Sequence, residues 1–147
     1  MMAQQIFNNN IASADAPKKP LVALVIDSHR QDLSRSKNML RQNGFQTITA
    51  ASVENALVII FNEKIDVLII EVKLPGNSFL TFCQSIRNGE IESIPPDILI
   101  IVCSGIWENM QNALCREAGV DVFFYKPLDA ELLLDCLKTK NRSLHIT

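Results

Sequence analysis

Val67-Leu68-Ile69-Ile70-Glu71-Val72-Lys73-Leu74-Pro75 is an apolar run of strand length that ends on a carboxylate and closes on a proline. A run without polar alternation reads as a strand buried on both faces, the pattern of a parallel sheet covered by helices. In open α/β sheets the ligand crevice forms outside the carboxyl ends of the strands, so Glu71 stands where such a fold places its chemistry.

Working outward from this strand, apolar runs alternate with stretches of helical period. Leu21–Ile26, Gln46–Ala50, Val67–Ile70, Ile98–Cys103 and Val120–Tyr125 are the predicted strands. Between and after them, Arg30–Asn43 stops at Gly44, and Ser52 caps Val53–Lys64. Ser78–Asn88 stops at Gly89, Trp107–Ala118 stops at Gly119, and Asp129 caps Ala130–Lys140. The order predicts a three-layer α-β-α fold, a doubly wound (βα)₅ five-stranded parallel sheet of flavodoxin-like topology. Residues 1–20 are predicted to be a flexible arm and 21–140 a single domain. Residues 141–147 are predicted to form a tail, so no output domain is expected after Lys140 unless the chain is a piece of a longer protein.

Composition narrows the function classes. A net charge of −2 with scattered lysines and arginines gives no basic face for nucleic acid. No run approaches the ~18 apolar residues of a membrane span, and no secretory leader is recognisable, so a cytoplasmic protein is expected. Cys83, Cys103, Cys115 and Cys136 lie far apart without a CxxC pair, which suits reduced thiols rather than a zinc site. Ser28-His29-Arg30-Gln31-Asp32 contains no glycine, so the turn after the first strand is no nucleotide phosphate loop. No Ser–His–Asp or Cys–His arrangement is recognisable, and the chain is not expected to be an enzyme.

The predicted strands end in Asp27-Ser28, Glu71, Ser104-Gly105 and Lys126-Pro127. Ends of parallel strands share one edge, so an acid, a hydroxyl and an ammonium converge there. His29, beside them, reads as a solvated side chain at a helix start more readily than as a metal ligand. His145, near the end of the chain, is set aside as well.

At this point the chain resembles the receiver domain of bacterial two-component response regulators. The resemblance runs from Leu21 to about Lys140 and rests on Val25-Ile26-Asp27 with Gly44, Glu71-Val72-Lys73-Leu74-Pro75, Cys103-Ser104-Gly105, Ala118-Gly119-Val120-Asp121 and Phe123-Phe124-Tyr125-Lys126-Pro127. It implies a phosphoacceptor site at Asp27, Ser28, Glu71, Ser104 and Lys126, with two acids after the first strand and an aspartate after the third holding magnesium. Asp27 matches the first acid, Ser28 replaces the second, and Glu71 replaces the phosphoacceptor. Only Asp27 and Glu71 remain as weak magnesium candidates, so binding is expected to be weak or lost and no cofactor is expected. The extra methylene of Glu71 displaces the nucleophilic oxygen by about 1.5 Å, and misplacement of that order costs on the order of 10²-fold in rate.

Two consequences stay open at this level. Glu71 could reach Lys126 and Ser104 and imitate the phosphorylated state, or the pair could be a partly exposed contact worth roughly 0–1 kcal/mol. Phe123 matches the family's switch aromatic, with a fixed core ring as the alternative. Phe79 stands where a loop glycine is usual, and Lys73 is expected to be solvated or to pair with Asp27 or Glu71. The partner face is expected around Trp107 and Leu132-Leu133-Leu134, with one leucine exposed and a homodimer possible. The resulting expectation is an atypical receiver, a pseudo-receiver acting in phosphorelay signal transduction through a protein partner such as a histidine kinase or another regulator. The alternative is a still-responsive regulator, phosphorylated at an unusual residue or binding another ligand in the acidic pocket.

Overall fold

The computed structural model describes residues 19–74, 78–105 and 109–146. In chain order these form β1 (Val22–Ile26), α1 (Arg30–Gln42), β2 (Gln46–Ala50), α2 (Val53–Asn62), β3 (Val67–Ile70), α3 (Ser78–Arg87), β4 (Leu99–Ser104), α4 (Asn109–Ala118), β5 (Val122–Tyr125) and α5 (Ala130–Ile146). One five-stranded sheet runs in the order β2-β1-β3-β4-β5 with every ladder parallel. The predicted (βα)₅ order and flavodoxin-like topology are therefore observed.

Each central strand feeds both layers, as the unbroken apolar runs require. Leu24, Ile26, Leu68, Ile70, Ile100 and Val102 face a core shared with α2, α3 and α4. Ala23, Val25, Val67, Ile69, Ile101 and Cys103 face a second core closed by Leu40 of α1 and Leu133 of α5. Ile26, Leu68, Ile70, Ile100 and Ile101 are wholly buried, each worth about 1.5–3 kcal/mol of transfer free energy.

The helix signals hold where local chemistry is decisive. The Ser52 hydroxyl accepts from Asn55 N–H at 3.1 Å, and Asp129 Oδ1 accepts from Glu131 and Leu132 N–H at 2.8 and 3.2 Å. Gly44, Gly89 and Gly119 adopt φ of 89°, 75° and 81°, the left-handed turn that ends a helix. All three stops lie where chain returns to the start of the sheet, which leaves the opposite rim to the strand ends. The α5 helix runs past the predicted Lys140 to Ile146, because Asn141 to Ile146 contain neither glycine nor proline to stop it. The start-of-strand residues Leu21, Ile98 and Val120 lie just outside the ladders.

At the rim where strands begin, Arg87 closes the fold. Its guanidinium donates to the carbonyls of Gly119 (2.8 Å), Pro96 (2.7 Å) and Ile98 (2.7 Å) and to Asp121 Oδ2 (2.9 Å). Asp121 Oδ2 also accepts from Ile100 N–H at 2.8 Å. The end of α3 is thereby tied to the starts of β4 and β5.

Candidate functional site

The sheet places Asp27, Glu71 and Lys126 immediately after β1, β3 and β5, with Ser104 as the last residue of β4. The Lys126 ammonium lies 2.6 Å from Asp27 Oδ2, 2.8 Å from Glu71 Oε1 and 2.9 Å from Asp32 Oδ2. Asp27 and Glu71 side chains are each 6% exposed, Lys126 16% and Asp32 27%, so this is a largely buried cluster. A partly exposed two-residue contact is not what forms. Ser104, also buried, hydrogen-bonds Glu71 through its hydroxyl.

Asp32 was not among the expected site residues. It sits in the first turn of α1, one helical turn past His29, and its acidity at a helix start has an ordinary explanation in the helix dipole. Only the winding of the chain brings it over Lys126. The one signal available beforehand was its place in the turn that follows Asp27.

Every carboxylate oxygen of the cluster is engaged. Asp27 Oδ1 accepts the His29 backbone N–H at 2.9 Å, Glu71 Oε2 accepts the Lys73 N–H at 3.2 Å, and Asp32 Oδ1 faces Arg35 Nη1 at 3.5 Å. Magnesium needs near-octahedral oxygens at about 2.0–2.1 Å, and here each of the three carboxylates already has one oxygen held by Lys126. Asp27, His29 and Asp32 do bring three potential ligand atoms within 4.8 Å of one another, yet two of the three belong to carboxylates already held by Lys126.

Electrostatics follow from these contacts. Burial alone disfavours the charged Lys126, but its bonds to Asp27, Glu71 and Asp32 more than offset this and raise its pKa. Burial likewise acts to raise Glu71, and the bonds from Lys126, Ser104 and the Lys73 N–H outweigh it, leaving the carboxyl below its ordinary value. Asp32 is lowered chiefly by its Lys126 bond. Cys103, in the same core, is pushed up to about 12 by burial, opposed by Lys126 and reinforced by the nearby carboxylates.

The remaining expected residues divide. Ser28 is exposed at the rim, outside the cluster. His29 is 72% exposed with Nδ1 3.6 Å from Asp27 Oδ1. Lys73 is exposed and meets Glu71 through its backbone N–H rather than its ammonium. Phe123 is half-buried, packs on the core shared by α2, α3 and α4, and stands edge-on to Tyr125 at 5.4 Å. Phe79 is buried in α3, and Pro75, Gly76 and Asn77 lie outside the described residues. Cys83, Cys103 and Cys115 are buried free thiols, and Cys136 is half-buried.

On the expected partner face, Trp107 lies outside the described residues. Leu133 is wholly buried, whereas Leu132 is 50% and Leu134 36% exposed. The expectation of one exposed leucine is corrected to two, because on a helix the residues flanking a buried one turn away from it on both sides. Tyr125, at the end of β5, is also exposed. Among the described residues no helix is long and apolar enough to cross a membrane.

Comparison with known proteins agrees with this fold. The family model described as the response regulator receiver domain matches residues 23–138. The transcriptional regulatory protein YxdJ of Bacillus subtilis is 30% identical over 106 residues, covering 72% of this chain and 44% of its own. The CAI-1 autoinducer sensor kinase/phosphatase CqsS of Vibrio cholerae is 25% identical over 128 residues, 87% of this chain and 18% of that protein. The chain thus spans less than half the length of these two relatives. Among solved structures, a two-component response regulator from Clostridium difficile superposes with a TM-score of 0.70 at 26% identity, covering 84% of this chain and 98% of that one. A response regulator from Thermotoga maritima gives 0.67 at 27% identity, covering 82% and 96%.

Proposed function

The chain belongs to the response-regulator receiver family, whose domains act as signalling modules rather than independent enzymes, and on that premise we propose that it works without aspartyl phosphorylation. In this reading Glu71 occupies the phosphoacceptor position and Ser28 that of a metal-binding acid. The domain signals by contact with another protein of a two-component system, a kinase or a second regulator. Receiver-like segments in sensor kinases such as CqsS make a kinase partner the first to test.

The observation that carries the reading is the single ammonium of Lys126 bonded to Asp27, Asp32 and Glu71 at 2.6–2.9 Å. A phosphoacceptor needs a free carboxylate oxygen and a cation poised for the incoming phosphoryl group. Here both Glu71 oxygens are bonded and the lysine is saturated. The internal cation does the neutralising that magnesium would otherwise do.

The same contacts support an activated-like state. Glu71 reaches both Lys126 and Ser104, the two groups that the family resemblance assigns to a phosphorylated site. Mimicry of that kind would need about 5.5 kcal/mol of bias to invert a two-state equilibrium fully. The individual charge-assisted bonds are stronger than neutral ones, and the bias they supply is the difference in their free energy between the two states.

The test is incubation of the purified protein with magnesium and acetyl phosphate, and separately with beryllofluoride, followed by intact mass and Trp107 fluorescence. No change in either is expected. A mass gain of about 80 Da that disappears in Glu71→Gln, or saturable magnesium-dependent quenching, would overturn the reading.

A further inference from the structure

β2 is one of the two edges of the sheet. Its backbone groups at Gln46 and Ala50 pair with β1, as Gln46 N–H donates to Leu21 O at 2.9 Å and Ala50 O accepts from Asp27 N–H at 3.1 Å. In a parallel ladder the intervening residues point the other way, so Thr47 and Thr49 turn their N–H and C=O groups outward. An open groove of about 580 Å³ runs along this edge.

The two walls of the groove differ in chemistry. On the α1 side stand Lys37 and Arg41, one helical turn apart. On the α2 side stand Val58, 63% exposed, and Ile59, with Ile48 of β2 beneath them. The α2 wall ends in Asn62 and Glu63, so acid and base sit on opposite sides. Thr47 Oγ1, buried in the groove floor, is a buried side-chain polar atom with no hydrogen-bond partner. Arg41 Nη2 meanwhile donates to the outward Thr47 carbonyl at 3.3 Å, covering one group of the open edge.

We infer that this groove takes an extended segment of a partner protein as an added strand, with acidic residues alternating with apolar ones. Side chains of an added strand alternate between faces, so every second residue meets Lys37 and Arg41 and the others meet Val58, Ile59 and Ile48. The segment's N–H groups take the Thr47 and Thr49 carbonyls, and Arg41, released from Thr47, pairs with an acid. A second copy of this chain is a poor occupant. Two-fold antiparallel pairing of β2 with itself sets α1 against α1, and Lys37 and Arg41 against their own copies.

The probe is a fluorescein-labelled heptapeptide of alternating Glu and Val, compared by fluorescence polarisation with alternating Lys and Val and with a Glu-block, Val-block peptide. Saturable binding of the Glu/Val peptide is expected, at least about tenfold tighter than either control. Amide exchange should slow at Thr47 and Thr49. Lys37→Glu with Arg41→Glu should transfer the preference to the Lys/Val peptide. Thr49→Pro, which removes only an outward N–H and is tolerated on an edge strand, should abolish binding while circular dichroism stays unchanged. Equal affinity for the three peptides, no saturable binding, or binding that survives Thr49→Pro would overturn the inference. So would concentration-dependent dimerisation in sedimentation velocity that Thr49→Pro removes, which assigns the edge to a second copy.

Discussion

Asp32 Oδ2 lies 2.9 Å from Lys126 Nζ, which ties the first turn of α1 to the chain just after β5 across 94 positions of sequence. The bond completes a set of three carboxylates around one ammonium, with Asp27 and Glu71 closer to the strand ends. One positive charge answers three negative ones, so the ammonium is the keystone and each carboxylate depends on it.

Lys126→Met keeps the length of the stem and removes the charge. Three acids are left without their cation, and removing one partner of a buried ionic set costs about 3–5 kcal/mol. Urea unfolding at pH 7 should show that loss, and the deficit should shrink at pH 4, where protonation relieves the repulsion. An undiminished deficit at acid pH would assign the effect to packing instead.

The pH dependence of the wild type has a definite sign. Asp32 and Glu71 titrate below their ordinary values of 3.8 and 4.5 in the folded protein. Their contribution is fully present above those values and is lost as pH falls through the depressed folded ones. Lys126, raised above its ordinary 10.5, contributes below that pH and ceases to do so only as pH rises through its higher folded value. Thermal unfolding should therefore fall at the acid end, hold a plateau from about pH 5 to 8, and fall again above about pH 9, where the unfolded chain ionises thiols such as Cys83 and Cys103 that burial keeps protonated in the folded protein. In Glu71→Gln the acid limb should flatten.

Arg87 makes four contacts at the rim remote from the cluster. Arg87→Ala should cost about 2–4 kcal/mol, since it strands three carbonyls and the Asp121 carboxylate. Arg87→Lys should not restore the loss, because an ammonium lacks the planar fork that reaches all of them. Gly119→Ala should cost about 1–2 kcal/mol, combining a positive φ with a Cβ that would meet Arg87 Cγ at 2.8 Å. Chemical denaturation of the three variants checks the order.

The leucines of α5 separate packing from surface. Leu133→Ala should destabilise by about 2–5 kcal/mol, whereas Leu132→Gln should fall within about 0.5 kcal/mol of wild type. Equal effects in urea melts would show that Leu132 is covered in solution.

The fold was legible because its determinants are local. Unbroken apolar runs mark Val67–Ile70 and its neighbours as central strands, Ser52 and Asp129 cap helices through their own side chains, and three glycines supply the positive φ that ends α1, α3 and α4. Four of the five cluster residues were legible as well, since Asp27, Glu71, Ser104 and Lys126 follow from strand ends and family spacing. Asp32 was not, because nothing in a helix-start acid says which distant lysine it will meet. The second exposed leucine and the longer α5 escaped for related reasons. Exposure depends on what packs alongside, and a helix without a stop signal has no boundary written into it.

The contacts of Lys126 also bear on how the domain comes apart. β5 is an edge strand that ladders only to β4, and such a strand is ordinarily the first to fray. Lys126 fastens its end to residues following β1 and β3, two strands it never touches by backbone pairing. Opening that edge therefore means breaking into the middle of the sheet, and slow amide exchange at β5 should track global unfolding rather than local breathing.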